Sequence, residues 1–323
     1  MRDAVLLLTH SGDFFTIDRV AEAVASRGAR PIRLDTNRFP QEAELSARLG
    51  QSGLTHRLKY RGQVVLAEEV RAAWLRRIWT PDMEEDLEPS LRETCCSESS
   101  AALYGFLDGL HEARWIDRQA NVDTASDKLY QLRMARAAGL RIPETLVTNS
   151  AEEARDFFAG NRGNVVAKLF TPVSMSMGPA ERFVYTSRVT ADDIEQAEGL
   201  RHCPMVFQEH VAKSVELRIA HVAGKLFIGA IDASRSQKGQ VDWRQAEPGA
   251  CEWQHHDGIP HDVERRLLAF MDLLGLTYGA IDMIVTPDGD HVFLEVNPGG
   301  EWGMLEKHLG LPISQAIADA LVS

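Results

Sequence analysis

At 323 residues the chain has room for two or three lobes, each with its own core, and its 44% hydrophobic and 25% charged content is ordinary for a soluble globular protein. A net charge of −12 argues against nucleic acid as a partner, because its phosphates require a basic surface; it leaves open an anionic ligand in a local basic pocket. No apolar run approaches membrane-spanning length, the N-terminus lacks a secretion-type basic and apolar region, and Cys95, Cys96, Cys203 and Cys251 show no metal or redox spacing, so a cytoplasmic protein with reduced thiols is expected.

In chain order, residues 4–10 read as an apolar strand. Thr16 then caps a helix with Ile17, Val20, Ala21 and Val24 on one face and Gly28 at its end, and 31–34 return as a strand. This is a βαβ opening, but Ser11-Gly12-Asp13 is not the glycine fingerprint of a dinucleotide site, so no nucleotide is assigned to it. Strands are expected at 54–60 and 63–67 around Arg61-Gly62, and at 72–78. An acidic surface stretch at 81–93 precedes a helix over 97–111.

Thr124-Ala125-Ser126-Asp127 resembles a capping box opening a helix that stops at Gly139, with Pro143 beyond, and a lobe boundary is placed near Asn121. Strands at 164–170 and 182–187 flank a loop at 171–181, which reads equally as a phosphate cover or as an ordinary hairpin loop. A helix near 191–198, a strand at 205–209 and a hairpin of 217–222 with 225–231 around Ala223-Gly224 follow. The next helix, 260–274, has Val263, Leu267, Phe270, Met271 and Leu274 on one face and ends at Gly275.

The most informative stretch comes last. Residues 279–285 and 291–297 alternate like two strands, and Asp288-Gly289 is a two-residue hairpin signal that sets Asp282 opposite Glu295, with Asn297 on the same face as Glu295. Two carboxylates and an amide oxygen on one sheet face suit a hard cation such as Mg²⁺. Pro287 lacks the N–H that an ideal two-residue hairpin would use, so a one-residue slip of register stays open. Upstream, Lys128 opens a helix, and Lys168 interrupts an apolar strand, where it serves either as a snorkelling edge residue or as a point charge for phosphate. The backbone of Gln208-Glu209-His210-Val211 suits an adenine edge. Glu216 and Arg218 share a face, the first placed to accept ribose hydroxyls and the second to reach a phosphate or carboxylate.

The series Lys128, Lys168, Gln208-Glu209-His210-Val211, Glu216-x-Arg218, Asp242-Trp243-Arg244, Asp282 and Glu295-x-Asn297 resembles the ATP-grasp carboxylate ligases over residues 121–323. Along the whole chain, Leu8-Thr9-His10, Leu34-Asp35-Thr36, Arg38-Phe39-Pro40, Ala73-Trp74-Leu75-Arg76-Arg77, Cys203-Pro204-Met205-Val206-Phe207-Gln208-Glu209 and Glu295-Val296-Asn297-Pro298-Gly299-Gly300-Glu301-Trp302 are similar to the microviridin type. These are the graspetide maturases that close side-chain rings in ribosomal precursor peptides. Trp115-Ile116-Asp117-Arg118-Gln119 departs from the Asn-Pro that the resemblance leads one to expect.

The resemblance implies an α/β fold of α+β lobes: an N-terminal pre-ATP-grasp lobe at 1–120, a central ATP-grasp subdomain at 121–205 and a C-terminal one with the metal site at 206–323. It implies that Lys128, Lys168 and Ser174 of the covering loop bind ATP phosphates, and that Gln208, Glu209, His210 and Val211 line the adenine site. Glu216 would take ribose, and Asp282, Glu295 and Asn297 would hold Mg²⁺. Arg218 and Arg244 would face the reacting groups. It implies an Asp or Glu activated as an acyl phosphate and joined to Ser/Thr hydroxyls or Lys amines, a leader-plus-core peptide partner met near 170–187, and a homodimer. The absence of an identifiable acidic acceptor pocket leans the bond towards ester. A ligase acting on free amino acids or protein tails shares every ATP and metal residue, and a non-catalytic nucleotide-binding regulator is the reading of another class.

Overall fold

The computed structural model describes residues 2–51, 53–169, 186–232, 241 and 252–323. The loop at 171–181 with Ser174, most of the strand expected at 182–187, and Asp242-Trp243-Arg244 lie outside these.

The chain opens with strand β1 (Ala4–Thr9), helix α1 (Thr16–Ser26) and strand β2 (Arg30–Asp35), the expected βαβ unit with β1 and β2 parallel. Gly28 follows the helix at φ +77°, the left-handed conformation that glycine reaches without a Cβ penalty. Strands β3 (Ala43–Gly50), β4 (Gly53–Tyr60) and β5 (Gln63–Leu66) form an antiparallel sheet, with Arg61 and Gly62 both at positive φ in the predicted turn. Strand β6 (Val70–Leu75), helix α2 (Pro89–Asp108) and strand β7 (Arg114–Ile116) complete the lobe, whose parallel sheet runs β2-β1-β6-β7.

Three expectations are corrected here. Strand β3 was not foreseen, although Ala43, Leu45, Ala47 and Leu49 alternate with Glu44, Ser46 and Arg48; the small alanines weaken that period-two signal. Helix α2 begins at Pro89, eight residues earlier than expected, because proline suits the first helical turn and the acidic stretch supplies it. Strand β6 ends at Leu75, so Arg76 and Arg77 lie beyond it.

The next section holds helices α3 (Gln119–Ser126) and α4 (Lys128–Ala137), strand β8 (Thr145–Thr148), helix α5 (Ala151–Gly160), strands β9 (Val165–Lys168) and β10 (Ser187–Arg188), helix α6 (Ala191–Glu195) and strand β11 (Met205–Glu209). Its strands form an antiparallel sheet in the order β10-β9-β11-β8. The predicted capping box does not form. Asp127, not Thr124, caps the helix: its carboxylate accepts from the N–H groups of Leu129 and Tyr130, while the Thr124 hydroxyl bonds back to Ala120 inside α3.

Last come strands β12 (Val215–Val222), β13 (Lys225–Ile231) and β14 (Trp253–His255), helix α7 (His261–Leu274), strands β15 (Tyr278–Val285) and β16 (His291–Asn297), and helices α8 (Gly303–Leu309) and α9 (Ile313–Val322). The five strands form an antiparallel sheet ordered β14-β13-β12-β15-β16. Alternation divides its faces. Leu217, Ile219, Ile281, Met283, Phe293 and Val296 pack with Leu132, Leu267, Phe270 and Met271 of α4 and α7. On the other face Ala220, Val222, Tyr278 and Ala280 join Val5, Leu7, Ile17 and Val20 of the first lobe and Ile313 and Ile317 of α9. That second face is apolar at one end and polar at the other, and the polar end is the candidate site.

Candidate functional site

Arg218, Asp282 and Glu295 form one row across the sheet: Arg218 is opposite Asp282 between β12 and β15, and Asp282 is opposite Glu295 between β15 and β16. Directly opposed residues share a face, so three charged side chains project together. The turn is not the two-residue one expected. Thr286 accepts Asp290's N–H through its hydroxyl and donates its own N–H to Asp290's carbonyl, leaving Pro287-Asp288-Gly289 as the loop, with Gly289 at φ +86°. Near the turn the strands are therefore one residue out, with Val285 against His291 and Met283 against Phe293. A bulge between Met283 and Asp282 absorbs Leu294 and restores the pair Asp282–Glu295. Without it, Glu295 would follow Phe293 into the core.

The row is electrically balanced. Nη1 of Arg218 donates to both oxygens of Asp282 at 2.8 Å, and its Nε and Nη2 donate to the carbonyl of Glu301 at 3.2 and 2.8 Å. Burial works against the guanidinium's charge, yet Asp282 outweighs it and holds the Arg218 pKa above its ordinary value. Lys128 Nζ lies 2.9 Å from Glu295 and 3.4 Å from the amide oxygen of Asn297, whose Nδ2 donates to Glu295 at 3.2 Å. Burial tends to raise the Glu295 pKa, but Lys128 and Lys168 together hold it well below the carboxylate range. Lys168, on β9, is pushed down by burial, with Glu295 opposing and Lys128 adding to the shift.

Helix α4 sets the edge strand. Gln131, buried one turn beyond Lys128, donates to the Val296 carbonyl at 2.8 Å and accepts the Val296 N–H at 3.1 Å, replacing the missing neighbour of β16. Val296 lies between Glu295 and Asn297, so this clamp fixes both. Gln131 was missed by sequence reasoning, since a glutamine in a helix carries no signal of its target. Its spacing of three from Lys128 is the one available hint.

The remaining candidates are placed as follows. Gln208 is buried, its amide donating to Thr145 at 2.9 Å. The N–H groups of Glu209 and His210 are taken by the carbonyls of Glu144 and Asn164, and Val211 follows just beyond the strand. Glu216 pairs with Lys213 at 2.6 Å. Ser174 and Arg244 lie outside the described residues. Two carboxylates and an amide oxygen are hard donors and fit Mg²⁺; among the described residues no cluster of three His, Cys, Asp or Glu offers an alternative centre.

The glycine pair after Asn297 serves close packing. A Cβ on Gly299 would meet the Arg76 carbonyl at 2.7 Å, and one on Gly300 would press on Asn297. This lets the first lobe reach the site: the fully buried Arg76 donates to the Gly299 carbonyl and to Glu301 at 2.7 Å, while the other oxygen of Glu301 accepts from Trp302 and Gly303 at the start of α8.

Residues 4–123 match the family model described as the MvdD pre-ATP grasp domain. No curated protein matches the chain. Among solved structures, the chain is similar to the macrocyclase MdnB from Microcystis aeruginosa MRC, at 51% identity and a TM-score of 0.85 over 99% of both chains. It is also similar to the macrocyclase MdnC bound with precursor peptide MdnA from the same organism, at 35% identity and 0.88 over 99% of both chains. A Chryseobacterium gregarium RiPP-associated ATP-grasp ligase in complex with ADP and a leader and core peptide matches at 31% identity and 0.90, over 99% of this chain and 96% of that one.

Proposed function

The chain belongs to the ATP-grasp macrocyclases of ribosomal precursor peptides, the microviridin and graspetide type, and from that membership we propose how its residues divide the work. It is an ATP-dependent ligase that activates Asp or Glu side chains of a leader-plus-core peptide and joins them to Ser/Thr hydroxyls as esters or to Lys amines as amides. One observation carries the assignment of roles: Lys128, Lys168 and Arg218 surround the Asp282–Glu295–Asn297 face at the polar end of a single sheet.

Condensing a carboxylate with a hydroxyl or amine is uphill in water. The peptide carboxylate therefore takes the γ-phosphoryl group of ATP, releasing ADP, and the hydroxyl or amine then attacks the acyl carbon and expels phosphate. Lys128 and Lys168 hold the phosphate tail as point charges. Val211 and Glu209 meet adenine through the backbone, flanked by Gln208 and His210, and Glu216 holds the ribose. Asp282, Glu295 and Asn297 would hold Mg²⁺, which would supply the positive charge that phosphoryl transfer requires. Arg218, fixed between Asp282 and the Glu301 carbonyl, faces the acyl oxygen as negative charge develops there, with Arg244 beside the reacting groups and Ser174 over the phosphates. Among the described residues no helix is long and apolar enough to cross a membrane. We place the enzyme in the cytoplasm, where ATP and a ribosomal peptide meet, and as a homodimer, which light scattering checks.

The deciding experiment is intact-mass analysis of a candidate precursor incubated with the protein, ATP and Mg²⁺. Loss of one or more waters, dependent on ATP, is expected, and hydroxylamine then separates ester from amide. A gain of one amino-acid residue instead would move the assignment to a tailing ligase. ATP binding without any mass change across precursors would favour the non-catalytic binder.

A further inference from the structure

The parallel sheet of the first lobe has its switch point at β1, which leads through α1 to β2 on one side and pairs with β6 on the other. Ligands of open parallel sheets bind in the crevice beyond the carboxyl ends of such strands. Two arginines stand there. Arg76 is committed to Gly299, Glu301 and, at 3.8 Å, Asp13.

Arg77 is not. Its backbone N–H is tied to the Leu8 carbonyl at 3.1 Å, and its stem lies against Gly299, where an added Cβ would come within 3.8 Å of Arg77 Cγ. Its partly buried guanidinium has no hydrogen-bond or ion-pair partner among the described residues. The nearby carboxylates are already used: Asp13 accepts from the hydroxyls of Thr9 and Thr16, and Glu301 caps α8 and pairs with Arg76. Burial and the like charge of Arg76 both weigh against the Arg77 cation. Five N–H donors with no acceptor, partly withdrawn from water, are costly unless an anion completes them. The same short loop, 299–301, carries Arg77 on one side and receives Arg218 on the other. His10 and Trp79, with ring centroids 4.4 Å apart, wall the same strand ends.

We propose that Arg77 receives the peptide side-chain carboxylate to be activated, gripping it with its planar fork beside Arg218 and thereby selecting Asp or Glu over the amides Asn and Gln. This rests on the macrocyclase reading above. The match is one of geometry, since a guanidinium offers paired donors where a carboxylate offers paired acceptors, and an amide presents an N–H₂ in one of those places.

The test measures binding without turnover. The probes are MdnA, the precursor seen with the 35%-identical macrocyclase, and the same peptide with its core Asp and Glu changed to Asn and Gln, titrated with ADP present by calorimetry. The wild-type protein is expected to prefer the acidic core about ten-fold or more. Arg77→Met should bind both peptides alike, with ADP affinity unchanged as the check on folding. Arg77→Lys, which keeps the charge but not the fork, should retain part of the preference and serves if the methionine variant does not fold. Full preference in either folded variant, or none in the wild type for whatever reason, overturns the proposal. Failure of the macrocyclase reading shows separately, as preference for the acidic core with no ATP-dependent loss of water.

Discussion

Glu295 is the side chain on which the site can be tested most cleanly. Its carboxylate is held by Lys128 and Lys168, both of which belong to the proposed phosphate path. Glu295→Gln keeps the shape and removes one metal-binding charge, so turnover of ATP with precursor should fall by about 10³-fold or more; it also takes the counter-charge from Lys128 and Lys168, so the melting temperature should fall, as coupled ADP release and a melting curve will show. Asp282→Asn should be equally inactive and destabilised for the same reason, because it strips the buried Arg218 of its counter-charge, a loss of about 3–5 kcal/mol. Lys168 gives a pH test. Burial lowers its pKa, and only its protonated form attracts phosphate, so ATP affinity should decline as pH rises, beginning below the ordinary lysine value of 10.5. Lys168→Arg stays charged, and its affinity should be flat between about pH 7 and 10 by calorimetry.

At the scale of elements, the edge strand β16 depends on a bulge and a clamp. Gln131 satisfies both backbone groups of Val296, so Gln131→Leu leaves a buried donor and acceptor unmet at about 1–3 kcal/mol each and frees Glu295 and Asn297 to turn. The expected outcome is a lower melting temperature together with a raised Mg²⁺ requirement, read from the metal dependence of ATP turnover. A variant that loses stability but keeps the metal dependence would confine Gln131 to the fold. This element also marks what the sequence revealed. The opposition of Asp282 and Glu295 was legible, but through a two-residue turn that does not form. The three-residue loop and the Leu294 bulge offset one another, and neither leaves a compositional trace in a branched apolar run. Helix α7, the hairpin of β12 and β13, and β11 were readable because their periodicity is uninterrupted. The cap at Asp127 was misread because Thr124 and Asp127 both satisfy local capping chemistry, and only the break between α3 and α4 separates them.

For the whole molecule, one buried imidazole makes a separable contribution to acid sensitivity. His221 on β12 accepts the Gly224 N–H at Nε2, and burial pushes its pKa down from 6.5 to about 4. The unfolded chain therefore binds the proton more readily than the folded one. Its contribution to stability is full above pH 6.5 and is lost as pH falls towards 4, by up to ~3 kcal/mol at ~1.4 kcal/mol per unit. His221→Gln should flatten that part of the pH profile in urea titrations, whatever it does to stability at neutral pH. Arg76 and Glu301 extend the same point to function: the first lobe is tied by the ion pair of a buried arginine to the loop that orients Arg218, a dependence no motif expresses because its partners stand 225 positions apart.

Helix α9 has a consequence for how such a chain is made. Its Ile313, Ile317 and Leu321 close a core begun by Val5, Leu7, Ile17 and Val24. During synthesis those early apolar side chains wait, uncovered, until α9 has been made, about 290 residues later. The nascent first lobe is thus the stretch most dependent on a chaperone, and a ribosome that stalls before residue 313 releases an aggregation-prone product rather than a smaller working one.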